Sequence, residues 1–369
     1  MKNASRSSDQ ARSVRVAIEF VGFLSTSEFS EAVVDAGPVV QTDVLEHWAR
    51  THEEAGFDRV IVAYNSGLAG GFAVSQQVLS LTQRLGVVLA HRPGTWLPVP
   101  AAREFATADA FYPGRFALNI VTGAPEELRR DGNWTERPAG YERTDEFLTA
   151  LELLFGSKGP VSFHGQHFGF EDAALPFGPA GGRIPIYFGG ASPEAVVVGA
   201  RHADVYMLWG ESLAGIADRI GEIRAAAATS GREPRFSVSF RPIVAETETA
   251  AWTRARDILE RVEERQGMAS PGRSDEGSRR LLAAAAAANI LDERLWTKLA
   301  TTTRSGGNSI APVGSYEQVA DTLLDFVELG ISTIHINGYF PIDDVRRYGQ
   351  LIAAVRERAS RRGEFSRPK

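Results

Sequence analysis

Asn119 and Thr122 are the polar groups of GRFALNIVTG, residues 114–123, where an apolar run ends in an amide, a hydroxyl and a glycine. An amide inside an apolar strand must be hydrogen-bonded, because leaving it unpaired costs on the order of 1–3 kcal/mol. A heterocycle with imide and carbonyl groups would satisfy it, and so would a neighbouring strand end. Tyr141, at the start of a predicted helix, could reach the same edge. Gly189-Gly190-Ala191-Ser192-Pro193 offers different chemistry. Its glycines let backbone approach a ligand, Ser192 can cap the next helix, and the positive helix end attracts a phosphate. An ordinary capped turn is the other reading.

His91 and Arg92 close a second apolar run. The histidine could donate a hydrogen bond or shuttle a proton, or pack at the strand end. The arginine is expected to find an ion-pair partner. Trp209 ends a third run and could wall a flat ring. Arg241 lies within FSVSFRPIV, residues 236–244, where a cation requires a carboxylate or an anionic ligand. Arg304, in a loop, could close on a phosphate or a sulfonate. Tyr339, after a final apolar run, could face the same rim.

Something must bring these positions together, and the pattern says what. Strands are predicted at 14–22, 58–64, 86–90, 115–121, 185–188, 204–208, 235–245 and 330–337. Helices are predicted between them, at 42–55, 72–84, 98–111, 141–155, 213–230 and 249–265, with a last one at 342–361. Apolar runs without alternation suit strands covered on both faces. Eight such strands alternating with helices predict one (β/α)8 TIM barrel, whose ligands sit where strands end. The barrel domain is expected over 14–365, with 1–13 a disordered tail. Residues 159–172 alternate like a hairpin. Residues 266–312, between strands seven and eight, read as a lid-like mobile insertion with an alanine-rich helix at 281–291 and a hinge at Gly306-Gly307.

Composition narrows the function. A 369-residue chain that is 43% hydrophobic can bury a core of that size. The net charge of −6 and the lack of a basic run argue against nucleic acid. The absence of cysteine excludes disulfides, thiolate metal sites and a cysteine nucleophile. His47 and His52 are five apart, and His164 and His167 fall in the hairpin, so no zinc helix is expected. No apolar run is long enough to span a bilayer, so a cytoplasmic protein without membrane partners is expected. No Gly-x-Gly-x-x-Gly follows a strand, and no Gly-x-Ser-x-Gly occurs.

The ordered pieces AAREFATAD, GRFALNIVTG, RRDGNWTERPAGYERTDEF, PIYFGGASPEA, ADVYMLWGE and ELGISTIHINGYFPIDD resemble the bacterial luciferase-like flavin monooxygenases. The resemblance runs from about residue 14 to 355 and is closest to the alkanesulfonate and dimethyl-sulfone branch. It implies a two-component enzyme that takes reduced FMN from a separate NAD(P)H-dependent flavin reductase. With O2 the flavin would form a peroxyflavin and cleave a C–S bond of a small organosulfur compound. The resemblance implies that Asn119, Thr122, Glu127 and Tyr141 line the flavin, that Gly190, Ala191 and Ser192 hold its phosphate, and that Trp209 stands by the ring. His91, Arg241, Arg304 and Tyr339 are then expected to face substrate or peroxide. A homodimer or tetramer is expected. Two departures bear on substrate: Leu68 replaces a family cysteine, and Ser239-Phe240-Arg241 replaces Arg-x-His. The alternatives are F420-dependent hydride transfer on the same fold and a non-catalytic flavin-binding protein.

Overall fold

The computed structural model describes residues 16–33, 37–265, 275–304, 308–362 and 365–366. The tail expected at 1–13 and the hinge expected at Gly306-Gly307 lie outside them. Eight parallel strands close into a barrel: β1 Glu19–Leu24, β2 Arg59–Val62, β3 Gly86–His91, β4 Phe116–Ile120, β5 Ile186–Gly189, β6 Val205–Trp209, β7 Arg235–Phe240 and β8 Ile331–Ile336. Each pairs with its neighbour in sequence, and β8 closes on β1 with Thr333 opposite Glu19. The predicted fold class is therefore the observed one.

Around the barrel pack helices α1 Thr42–Ala55, α2 Gly71–Leu81, α3 Pro98–Phe111, α4 Arg137–Gly156, α5 Pro193–His202, α6 Leu213–Ala228, α7 Tyr316–Glu328 and α8 Pro341–Arg361. Their ends follow local chemistry. Gly56 stops α1 in the left-handed region (φ 88°), where a glycine meets no steric penalty. Ser315 and Gln318 form a reciprocal capping box that starts α7.

Side chains alternate across each strand. The outward set, including Phe20, Val60, Val87, Phe116 and Ile334, is buried under the helices. The inward set packs on itself as Val21, Ile61, Val88, Ala117, Tyr187 and Val205. Beneath it, Glu19 accepts hydrogen bonds from Tyr187 (2.7 Å), Thr333 (3.0 Å) and Arg59 (3.0 Å). The lower half of the barrel is thus filled, and only the end where the strands stop is left for a ligand.

Three expectations change. The first predicted strand divides: Val16–Ala17 pairs with Phe365–Ser366, and the barrel strand begins at Glu19. The seventh ends at Phe240, because Pro242 has no N–H to continue a ladder. Ile243–Ala245 instead joins Ala311–Ser315, Leu295–Trp296 and Ile290–Leu291 in a separate four-stranded sheet. The predicted alanine-rich helix at 281–291 is found as Glu276–Ala287. The hairpin forms, from Val161–His164 and Gly169–Ala173.

One cluster between α4 and α5 makes stability depend on pH. His202 is buried between Asp145 (2.9 Å) and Glu152 (3.2 Å). Burial opposes its charge, but the hydrogen bonds and charges of the two carboxylates outweigh it and raise its pKa above 6.5. The carboxylates are in turn lowered. The histidine's contribution is full below its unfolded value and is lost as pH rises through the folded one. That of the carboxylates is lost as pH falls through theirs. Urea midpoints are expected to show wild type exceeding His202→Leu by most near pH 5.5, with the gap shrinking by pH 9. An equal gap at both would remove the charged histidine from the account.

Candidate functional site at the barrel mouth

Several inward residues just above the packed layer are only half-buried, although they stand in the barrel strands. Phe23, Asn119, Met207 and His335 form this ring, with Trp209 at the end of β6. A filled barrel would bury them, so the mouth is an open recess with Asn119 in its wall. A separate groove of about 490 Å³ lies at the opposite end, where Arg183 and Arg232 bind Asp204, and serves none of these residues.

Beside Asn119 the loop from β5 to α5 builds an anion cradle. Ser192 caps α5, accepting from the Ala195 amide at 3.3 Å. Pro193 follows as the first helical residue, where its missing N–H costs nothing. The Ser192 hydroxyl lies 3.4 Å from the Tyr141 hydroxyl. Tyr206 donates to the Gly190 carbonyl at 2.9 Å, fixing the loop from below. Any Cβ at Gly190 would overlap Ala195, so the backbone here must stay bare. Tyr141, Gly190, Ala191 and Ser192 are therefore contiguous. Thr122 joins their border, 3.3 Å from Thr144 on the helix of Tyr141.

Glu127 stands on the short helix Pro125–Arg130 after β4. Arg92 holds it at 2.8 Å, holds Asp131 at 2.7 Å, and lies over the Tyr64 ring at 4.7 Å. Trp209 is covered from above: a Cβ at Gly277 would come within 2.9 Å of its ring, so Glu276–Ala287 rests on it. Arg280 of that helix pairs with Glu211 at 2.8 Å. Asp292 accepts from the Leu213 amide at 2.5 Å. The segment between strands seven and eight thus reaches the mouth.

The residues expected to face substrate separate. His91 points behind β3, 5.1 Å from Phe105 and 5.2 Å from Phe147 between ring centres, away from the recess. Burial lowers its pKa to about 3, so it is neutral. Arg241 is buried and bound on both sides of its fork to Glu31 (2.8 Å), donates to the Gly338 carbonyl (2.9 Å), and stacks 3.7 Å from the Tyr339 ring centre. Burial opposes ionisation of Glu31, but Arg241 more than offsets this and its pKa is lowered. Tyr339 is buried, and its hydroxyl has no partner among the described residues. Burial raises its pKa, so it keeps its proton. Arg304 is exposed, in a left-handed conformation (φ 50°).

Three residues were missed. Glu31 lies 210 positions from its partner. Asn308 donates to the Ser239 hydroxyl at 3.0 Å, and its own Oδ1 is buried without a partner among the described residues. His335 stands in the ring of the recess with an Nε2 that has no partner among the described residues, and burial lowers its pKa to about 4. A histidine inside the apolar run ISTIHIN was the one legible signal of the three. No cluster of three or more potential metal ligands occurs among the described residues, and no helix there is long and apolar enough to cross a membrane.

A family model for luciferase-like monooxygenases matches residues 19–333. Among solved structures, riboflavin lyase RcaE, with modified FMN and riboflavin, superposes with a TM-score of 0.77 at 17% identity, over 95% of this chain and 93% of that one. DmoA from Hyphomicrobium sulfonivorans gives 0.74 at 16%, over 95% and 89%. An F420-dependent secondary alcohol dehydrogenase holding an F420-acetone adduct gives 0.66 at 19%, over 92% and 99%.

Proposed function

Because the chain belongs to the luciferase-like monooxygenase family of flavin-dependent enzymes, we propose that it is the oxygenase of a two-component system, taking reduced FMN from an NAD(P)H-dependent reductase and acting on a small organosulfur compound. The observation that carries this is the pairing of an amide-lined recess with the bare, capped cradle at Gly190–Ser192. A flavin mononucleotide has a hydrogen-bonding ring and a phosphate at the same separation of roles. Asn119 would meet the ring's polar edge, bordered by Thr122, Glu127 and Tyr141. Gly190, Ala191 and Ser192 would take the phosphate with backbone N–H groups and the helix dipole. Trp209 would lie against the ring.

The cofactor, when reduced, supplies the electrons that activate O2. The chain's part is to orient, to exclude water and to hold a proton. Glu276–Ala287 roofs the Trp209 side of the recess. Tyr339 carries a buried proton with no acceptor among the described residues, beside Arg241, while His91 is walled off by Phe105 and Phe147. Arg304 would have to swing in from solvent to meet an anion.

F420-dependent hydride transfer is the second reading, favoured by the F420 enzyme that shares the fold. The two separate cleanly. With FMN, NADH and a flavin reductase, oxygen-dependent release of sulfite or sulfinate from a panel of sulfones and sulfonates is expected. No oxygen-dependent product, together with oxidation of reduced F420, would replace the first reading with the second.

A further inference from the structure

We propose that Glu31 sets the substrate class of this enzyme by cancelling the charge of Arg241, so that the recess takes neutral organosulfur compounds such as sulfones and rejects sulfonates. This rests on the reading that the mouth is an oxygenase site. Sulfonate recognition requires a cation free to give its fork to three oxygens. Arg241 commits its fork to Glu31 and the Gly338 carbonyl, and its face to Tyr339.

The loop that carries the carboxylate is held in place independently of Arg241. Ser30 donates to the Tyr339 carbonyl at 2.5 Å and accepts from the amides of Ala32 and Val33 at 3.0 and 3.1 Å. Glu28 accepts from the Ile342 amide at 3.4 Å. The loop after β1 is therefore pinned, just before Glu31, to the loop after β8 and the start of α8.

Three other arginines near the mouth are committed too, while Arg304 lies exposed to solvent. Arg92 binds Glu127 and Asp131, Arg219 binds Glu222 and the Gly190 carbonyl, and Arg280 binds Glu211. A sulfonate entering here would lose its hydration and meet carboxylates already holding those cations, a cost that a neutral sulfone avoids. The neighbouring positions agree: Leu68 borders a small apolar pocket with Leu24, Val62 and Val74, and Ser239 is occupied by Asn308.

The test is equilibrium binding of a matched pair, octane-1-sulfonate and methyl octyl sulfone, to the FMN-loaded protein, read by calorimetry. Wild type is expected to bind the sulfone at least tenfold more tightly. Glu31→Gln frees Arg241 and is expected to tighten sulfonate binding at least tenfold, with the sulfone little changed. Glu31→Asp keeps the charge and is expected to keep the wild-type preference, which guards against a variant that merely loosens the fold. Arg241→Gln in the Glu31→Gln background should abolish the gain. Preferential sulfonate binding by wild type, or an unchanged ratio in a folded Glu31→Gln protein, overturns the proposal. Tryptophan quenching by FMN, measured separately, reports on the cofactor reading, whose failure would leave no quench in any variant.

Discussion

Arg92→Leu is expected to lose about 3 kcal/mol of folding stability, the lower end for breaking a buried ion pair. The guanidinium is 1% exposed and joins Glu127 to Asp131, which are 30% and 14% exposed. Removing it leaves two carboxylates facing each other without their shared cation. Glu127 retains water, which places the loss at the low end of the range. Out of a typical total of roughly 5–15 kcal/mol, that is a large share. FMN affinity should fall as well, because Arg92 anchors Pro125–Arg130 and so the Glu127 edge of the recess. Replacing Asp131 with asparagine in the same chain should restore part of the loss. Urea midpoints and FMN titration measure both effects. A single variant within about 1 kcal/mol of wild type would show that the carboxylates do not need the pairing.

Gly190→Val should separate cofactor binding from folding. The added side chain overlaps Ala195 in the first turn of α5 and crowds the Tyr141 hydroxyl, 4.0 Å from the new Cβ. Relieving the overlap moves the cradle that Ser192 caps. Overpacking of this kind brings strain of about 1–3 kcal/mol, and the molecule should still fold. FMN affinity should drop about a hundredfold, which corresponds to about 2.7 kcal/mol. Unchanged FMN binding in a folded variant would show that the phosphate lies elsewhere.

The strands were legible because a strand sheltered on both faces leaves an uninterrupted apolar run, and eight such runs appear in order. The change of sheet after β7 was not, because Ile243–Ala245 is as apolar as the strand before it and only Pro242 marks the break. Helix α7 was overlooked although Ser315 and Gln318 signal it locally. At the site, the cap at Ser192 was readable because capping is a matter of four adjacent residues. The Glu31–Arg241 pair was not, since its partners meet only when the barrel closes. A cation in an apolar run announces that it needs a partner without saying which. His91 misled for a related reason: strand alternation put it on the helix side, and one residue of register decides between recess and core.

The seam between β8 and β1 joins the two ends of the barrel sequence, whereas every other strand pairs with one nearby in the chain. Closing it spans the longest stretch of chain of any strand pairing in the barrel and so carries the largest loop-closure entropy. Glu19 with Thr333, Asp58 with Arg356, Ser30 with Tyr339 and Glu31 with Arg241 all tie residues across or beside that seam. The carboxylate that would choose the substrate is thus also a rivet across the joint between the two ends of the barrel sequence. Evolution toward a different substrate charge at this position would therefore loosen a tie across the ring's closure as well as change the molecules it accepts.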